Sequence, residues 1–375
     1  MDLTTTAWGA WSGGRFTSCG EPLPEARWLG LVRQAYECGI RTFVTADIFG
    51  AGAADSLLGQ ALKGLPRDSY SLVGAVGHDI YHGTQLGSQP YPRFTDPDLR
   101  RPADYASYLR MATERSLERC GVSRFDLLLL QHPDQTGYTN DRVWIGLQRL
   151  VEAGLVDRLG IAPGPANGFT LDLLQCFERF GSIIDWAMIP LSPLEPWPGR
   201  LILTAAEAHD INVMTRGVDY GGLFHDDLRS GHTFGSGDPR SRRSPTWLED
   251  GLSKLGALRP LAGRKGRSLL QLACAWNLQQ TRVRSVVPSF MEESGDEAKS
   301  IERQVEDFAG VSPIAFTAAE LAEIEQIGDN QGRLDLRGAH RSHLGEPEAD
   351  RWALNSDLRA VAERWRIDPD FGLAS

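Results

Sequence analysis

A (β/α)8 TIM barrel, an α/β fold, is the class this sequence predicts, on three observations. Short β-type runs alternate with amphipathic helical stretches from one end of the chain to the other, the pattern of a parallel sheet with crossover helices. The run Leu127-Leu128-Leu129-Leu130 is continuously apolar, as a strand buried on both faces should be. The chain has 375 residues, whereas a barrel of this kind takes about 250. The excess is expected in long loops at the C-terminal face and in a C-terminal extension.

The strands are expected, in order, at residues 4–8 (the weakest), 41–46, 70–76, 126–130, 158–161, 183–189, 211–215 and 284–287. Asn140 or Asp141 is placed to cap a helix over 142–153, with Gly154 to end it, and Thr170 and Gly181 bracket the next one. The surplus length lies in a Pro/Gly/Tyr-rich loop at 78–102, a polar loop at 217–245 and the tail beyond Asp329. All three hold turn formers and little periodicity. Trp352, Leu354 and Trp365 give the tail apolar area to bury. Residues 329–375 are therefore expected as an arm packed on a barrel of residues 1–328.

The balance of 39 basic against 49 acidic residues, net charge -10, offers no electrostatic footprint for nucleic acid or an anionic membrane. The basic cluster Arg240-Ser241-Arg242-Arg243 reads as a solvated loop. The five cysteines are odd in number, widely spaced and free of C-x-x-C pairs, which argues against a disulfide framework or structural zinc and for a reducing cytoplasm. No stretch reaches the roughly 20 apolar residues of a membrane span, and the N-terminus lacks the features of a secretory signal. The expected partner is a small-molecule substrate; nothing in the sequence fixes an oligomeric state.

In a barrel the chemistry gathers where strands end. Asp47 and Phe49 follow the second strand, and His78, Asp79, Tyr81 and His82 the third. Gln131, His132 and Asp134 follow the fourth, and later strands add Asn167, Glu195, Arg216, Asp219 and Tyr220. Asp47, His78 and His132 are the candidate catalytic residues, since imidazoles and a carboxylate are the side chains of acid/base work and of metal sites. The i, i+4 spacing of His78 and His82 suits a metal only on a helix, which the Gly and Pro content of their loop opposes, so no metal is assigned.

Gln131 and Asn167 suit a hydroxyl or carbonyl oxygen, the latter presented by the tight turn APGPANGF at residues 162–169. Phe49, Tyr81, Trp197, Arg216 and Tyr220 complete the candidate substrate-binding set. Beside these stand plainer readings: a polar loop residue for Asp47, an ordinary turn for Asn167 and core packing for each aromatic.

The segments GIRTFVTADIFG, DSLLGQALKG, SLERCGVSRFDLLLLQHPD, LVEAGLVDRLGIAP, IDWAMIPLSPLEP, VMTRGVDYGGLF and SLLQLACAWNLQQTRVRSVVPS resemble, in order and spacing, those of the aldo/keto reductase superfamily. The resemblance covers most of the chain. It implies a nicotinamide hydride delivered to a carbonyl carbon while a Tyr, tuned by a Lys–Asp pair, protonates the oxygen and a His holds it. The family's D-T-A-x-x-Y-G falls on residues 44–50, so Val44 stands at the Asp and Phe49 at the Tyr; the Lys falls on Ala75 and the His on Gln131. A Phe has no proton to give. At the positions implied to hold the carboxamide stand Ala162, Pro163 and Met188, and the acidic run holding Glu292, Glu293 and Glu297 opposes a 2′-phosphate.

NAD(P) is thus implied by the resemblance, while its contact residues are largely replaced and no cofactor-binding residue is assigned. The leading expectation is a barrel enzyme doing acid/base chemistry (elimination, isomerisation or hydrolysis) on a small polyhydroxylated or carbonyl substrate. The alternatives are an NAD(P)-dependent oxidoreductase with a different proton donor, and a non-catalytic binding or regulatory barrel.

Overall fold

The computed structural model describes residues 2–85, 90–164, 169–295, 297–331 and 354–369. Eight strands, β1 (Ala7–Gly9), β2 (Thr42–Val44), β3 (Ser71–Val76), β4 (Leu127–Gln131), β5 (Leu159–Ala162), β6 (Trp186–Pro190), β7 (Asn212–Arg216) and β8 (Val283–Val287), pair in chain order. Every pairing is parallel. The ring closes through a bridge between Thr6 and Val286 and the Val286 N–H donating to the Thr5 carbonyl at 2.9 Å. All eight expected strands are present. The first is shorter than its sequence pattern because Thr5 and Thr6 reach β8 instead of β2. The sixth starts late because Gly181–Ile183 forms a 3-10 turn.

The helices are α1 (Glu25–Glu37), α2 (Ala53–Leu62), α3 (Tyr105–Cys120), α4 (Gln135–Thr139), α5 (Asp141–Glu152), α6 (Thr170–Phe180), α7 (Gly199–Ala208), α8 (Trp247–Arg264), α9 (Leu269–Leu278), α10 (Ile301–Ala309), α11 (Ala318–Gly328) and α12 (Ser356–Trp365). Asn140 caps α5 through Oδ1 to the Arg142 N–H at 2.9 Å, and Gly154, at φ 69°, takes the left-handed turn beyond its end. Thr170 is not the cap of α6; Phe169 occupies that position and Thr170 is the first helical residue. No helix among the described residues is long and apolar enough to cross a membrane. Helix α12 lies against α6, with Arg364 Nε and Trp365 Nε1 both donating to Glu178 Oε1, at 2.9 and 3.0 Å. Trp352 lies outside the described residues.

Alternation along each strand divides the core in two. Val44, Val73, Ala75, Leu127, Leu129, Met188 and Met214 fill the barrel interior, while Phe43, Leu72, Val76, Leu128 and Leu130 meet the helices. The same parity carries Gln131, Pro190 and Arg216, the last residues of β4, β6 and β7, onto the inward face, where they open onto a cavity.

Candidate active site at the barrel mouth

The cavity holds about 320 Å³. Trp11 and Phe49, ring centroids 5.9 Å apart, form an apolar wall with Met188, Phe290 and Met291, and Gln131, His132, Arg216, Asp219, Arg240 and Arg243 are among the polar groups that line it. Trp11 comes from the loop after β1 and is oriented by its Nε1 donating to Ser289 Oγ at 3.0 Å. Gly9 makes room for it, since a Cβ there would fall 2.4 Å from the indole. The eight tyrosines and the lysines Lys63, Lys254, Lys265 and Lys299 are all among the described residues, and none lines the cavity.

His132 follows β4 directly. Its backbone sits at φ 46°, a left-handed conformation uncommon outside glycine, though histidine is among the residues that adopt it more readily, and one that clusters at functional sites. The conformation is held from both sides: its N–H donates to the Ala162 carbonyl at 2.7 Å, and its own carbonyl accepts from Arg93 Nε. Gly77 lets the end of β3 approach this turn, because a Cβ there would lie 1.9 Å from the Gln131 carbonyl oxygen. The next residue, His78, is fully buried and places Nε2 3.4 Å from His132 Nδ1. Burial pushes both imidazoles well below their ordinary range. Arg93 deepens the effect on His78, and His78, Arg93 and Arg216 deepen it on His132. Both rings are therefore neutral near pH 7, and His132 Nε2 is left for whatever the cavity holds.

Gln131 is buried with Oε1 lacking a hydrogen-bond partner. Arg216 donates Nη2 to the carbonyls of Pro163 and Gly164, at 3.3 and 3.0 Å, and burial brings its pKa down to about 10. Of the candidate catalytic and substrate-binding residues, Phe49, Gln131, His132 and Arg216 share the cavity. Asp219, another residue that follows a strand, lines it too, its carboxylate accepting from the Ser289 and Gly222 N–H groups at 2.8 and 2.9 Å. His78 stands behind His132. Asn167 lies outside the described residues.

The remaining candidates sit elsewhere. Tyr81 accepts from Arg119 Nη1 at 3.1 Å, and that arginine also binds Asp55, which takes hydrogen bonds from Thr45 and Ser116. Trp197 exchanges backbone hydrogen bonds with the Asn330 amide at 3.0 and 2.8 Å. Tyr220 is buried with its ring 5.8 Å from that of Trp247. None of the three lines the cavity; each packs or braces a loop. Asp134 caps α4 through the Gly137 N–H at 2.7 Å. Among the described residues no three of His, Cys, Asp and Glu are grouped so as to hold a metal ion.

Asp47 is completely buried, and neither carboxylate oxygen has a hydrogen-bond partner. Burial, then the charges of Asp55 and Asp79, raise its pKa well above the usual carboxylate range, with Arg119 opposing. An unfolded aspartate loses its proton near about 3.9, while the folded one keeps it to higher pH. Across that window stability falls as pH rises, by up to about 1.4 kcal/mol per pH unit. Asp47→Asn is therefore expected to be more stable than the wild type by a margin that is small at pH 4 and grows towards pH 8. Urea midpoints of the two proteins at both pH values check this; a margin independent of pH would contradict it.

Two arginines of the 217–246 loop correct the solvated reading of the basic cluster. Arg240 is buried between Asp238 (Nη2 to Oδ2, 2.7 Å) and Glu293 (Nη2 to Oε2, 3.0 Å), and Arg243 lies over the Trp247 ring, 4.5 Å from its centroid, and faces the cavity. The acidic run after β8 is paired in part, since Arg27 is shared with Glu302 and Arg240 with Asp238. Glu292 is held by Arg27 (Nη1 to Oε1, 3.1 Å), Glu293 by Arg240, and Glu297 by Arg229 at 2.8 Å. Part of the negative field that its sequence suggests is thereby offset.

The sequence profile of the aldo/keto reductase family matches residues 7–329. A probable aldo-keto reductase 1 of Glycine max is 30% identical over 169 residues, 45% of this chain and 44% of that protein, so the chain spans less than half the length of this curated relative. Among solved structures, a glycerol dehydrogenase from Gluconobacter oxydans superposes with a TM-score of 0.68 at 23% identity, covering 87% of this chain and 92% of that one. An aldo-keto reductase from Bacillus halodurans, in its holo form, gives 0.64 at 18% identity over 88% and 93%. An aldo/keto reductase from Klebsiella pneumoniae in complex with NADP and acetate gives 0.59 at 19% identity over 90% and 96%. At these identities the structural likeness speaks for the fold.

Proposed function

The chain belongs to the aldo/keto reductase family, and from that premise we propose an enzyme that moves protons rather than hydride on a small hydroxy-carbonyl compound. His132 Nε2 takes the proton from the carbon beside a carbonyl. Gln131 and Arg216 bind the oxygen on which negative charge develops, where fixed dipoles and charge contribute most. Return of the proton to the neighbouring carbon, with the hydroxyl proton passing to the former carbonyl oxygen, gives isomerisation; departure of a β-hydroxyl as water, carrying the proton that His132 took, gives elimination. Neither outcome changes the redox state of the pair of carbons taken together.

The observation that carries this reading is a neutral imidazole pair at the edge of a cavity with no Tyr hydroxyl or Lys amine in its wall. Val44 and Ala75, at the positions likened to the Asp and Lys, belong to the apolar cluster inside the barrel. On the β5–β6 side the described residues do not fit a nicotinamide carboxamide: the Ala162 and Met188 side chains have no group to donate or accept a strong hydrogen bond. No step is therefore routed through that cofactor. We place the activity in the cytoplasm, which suits five free thiols.

One observation favours the second reading, an NAD(P)-dependent oxidoreductase with another proton donor: the glutamates after β8 are paired with arginines and leave the approach of a phosphate less opposed. Titration with NADH and NADPH against intrinsic Trp fluorescence separates the two, because Trp11 lines the cavity. No saturable change is expected with either nucleotide; saturable quenching by one of them would return the second reading.

A further inference from the structure

The loop between β3 and α3 carries an arginine, Arg93, that touches both histidines of the pair, His78 at its ring and His132 at its backbone carbonyl. Its Nη1 lies 2.9 Å from His78 Nδ1, and its Nε donates to the His132 carbonyl. Nδ1 of His78 has a second neighbour, the Tyr91 carbonyl oxygen at 2.6 Å. The two make opposite demands: a carbonyl only accepts, so it asks for a proton on Nδ1, while a guanidinium only donates, so it asks for a lone pair there. Each choice propagates. With the proton on Nδ1, His78 Nε2 accepts from His132 Nδ1 and His132 Nε2 is a base; with the lone pair on Nδ1, His132 Nε2 carries the proton and is an acid.

Neither arrangement tolerates an imidazolium at His78, because its Nδ1 would then hold positive charge against Arg93. We propose that Arg93 is a positioning residue: by keeping His78 from taking a second proton it confines the mobile proton to His132, whose Nε2 is a base in the arrangement that the Tyr91 carbonyl favours and, once it has taken a proton, an acid in the one that Arg93 favours.

The other groups around the pair do not duplicate this role. Arg216 lies on the β7 side of His132 and adds to its neutrality. The Tyr108 hydroxyl, from α3, donates to the His78 carbonyl at 2.8 Å and leaves the ring alone. Asp134, two residues along, is occupied by the Thr95 hydroxyl at 2.7 Å and the Gly137 N–H. Tyr138, on α4, is buried and kept un-ionised by burial, so it brings no charge to the pair. Only the two contacts at Nδ1, from Arg93 and from the Tyr91 carbonyl, discriminate between the proton arrangements, and they do so in opposite directions.

The proposal rests on His132 as the acid/base group, and its test does not depend on turnover. Nitrogen NMR of the full chain labelled at histidine reads the tautomer and titration midpoint of each ring. Arg93→Gln is expected to raise the midpoint of His78 by about one pH unit or more, the scale for losing a like charge at this distance. Arg93→Lys is expected to keep it low. Midpoints and tautomers unchanged in Arg93→Gln would overturn the proposal. Should that variant fail to fold, Arg93→Met serves with the same readout: a raised His78 midpoint is expected, and an unchanged His78 midpoint and tautomer would overturn the proposal. If the midpoints move as expected while His132 proves irrelevant to turnover, the proposed function fails and the role of Arg93 stands.

Discussion

Arg240→Ala is expected to lower the unfolding free energy by about 3–5 kcal/mol, the range for a buried ion pair broken from one side. Asp238 and Glu293 would be left inside the protein with their guanidinium gone. The loss would not stay local. Asp238 Oδ2 also accepts from the Gly20 N–H at 3.2 Å, and Arg240 Nη1 donates to the Gly221 carbonyl at 3.2 Å. One guanidinium therefore stitches together the loops after β1, β7 and β8, which wall the cavity. Arg240→Lys keeps the charge but not the paired geometry and is expected to fall between. Adding Glu293→Gln to Arg240→Ala should recover part of the loss by removing one stranded charge. Urea unfolding at a single pH measures all three; a loss below about 1 kcal/mol in Arg240→Ala, the scale of an exposed pair, would contradict this.

Strand positions and inward parity were legible because they rest on local alternation. Once β4 and β7 were placed, Gln131 and Arg216 had to reach the mouth, and Phe49 and His132 came with the short turns that follow their strands. Trp11 was open to the same rule, as it follows β1 by two residues, but its strand was the weakest in the sequence. Arg240 and Arg243 were not legible. They lie more than twenty residues beyond β7, and only the path of the loop, fixed by Asp238 and Glu293, turns them inward. The same holds for Arg93, whose position against the histidines depends on the bridge between His78 and Arg93. Tyr81, Trp197 and Tyr220 follow strands in sequence but are drawn to neighbouring side chains and backbone rather than to the cavity. Asp47 ends up buried without a partner, an arrangement that sequence gives no means to anticipate.

His132 carries the second large effect. Its substitution by Gln keeps a planar polar side chain and removes the ability to hold and release a proton, so turnover by general acid/base catalysis should fall by roughly 10²–10⁴-fold. His78→Asn should cost less, since it alters the partner of the ring rather than the ring itself. The direct measurement is proton exchange in D2O: a panel of small hydroxyaldehydes and hydroxyketones incubated with the protein without any nicotinamide nucleotide, with deuterium at the carbon beside the carbonyl followed by NMR. Incorporation into at least one compound is expected, and its loss in His132→Gln. No incorporation with the wild type, together with stoichiometric oxidation of NADH or NADPH by a carbonyl compound, would contradict it.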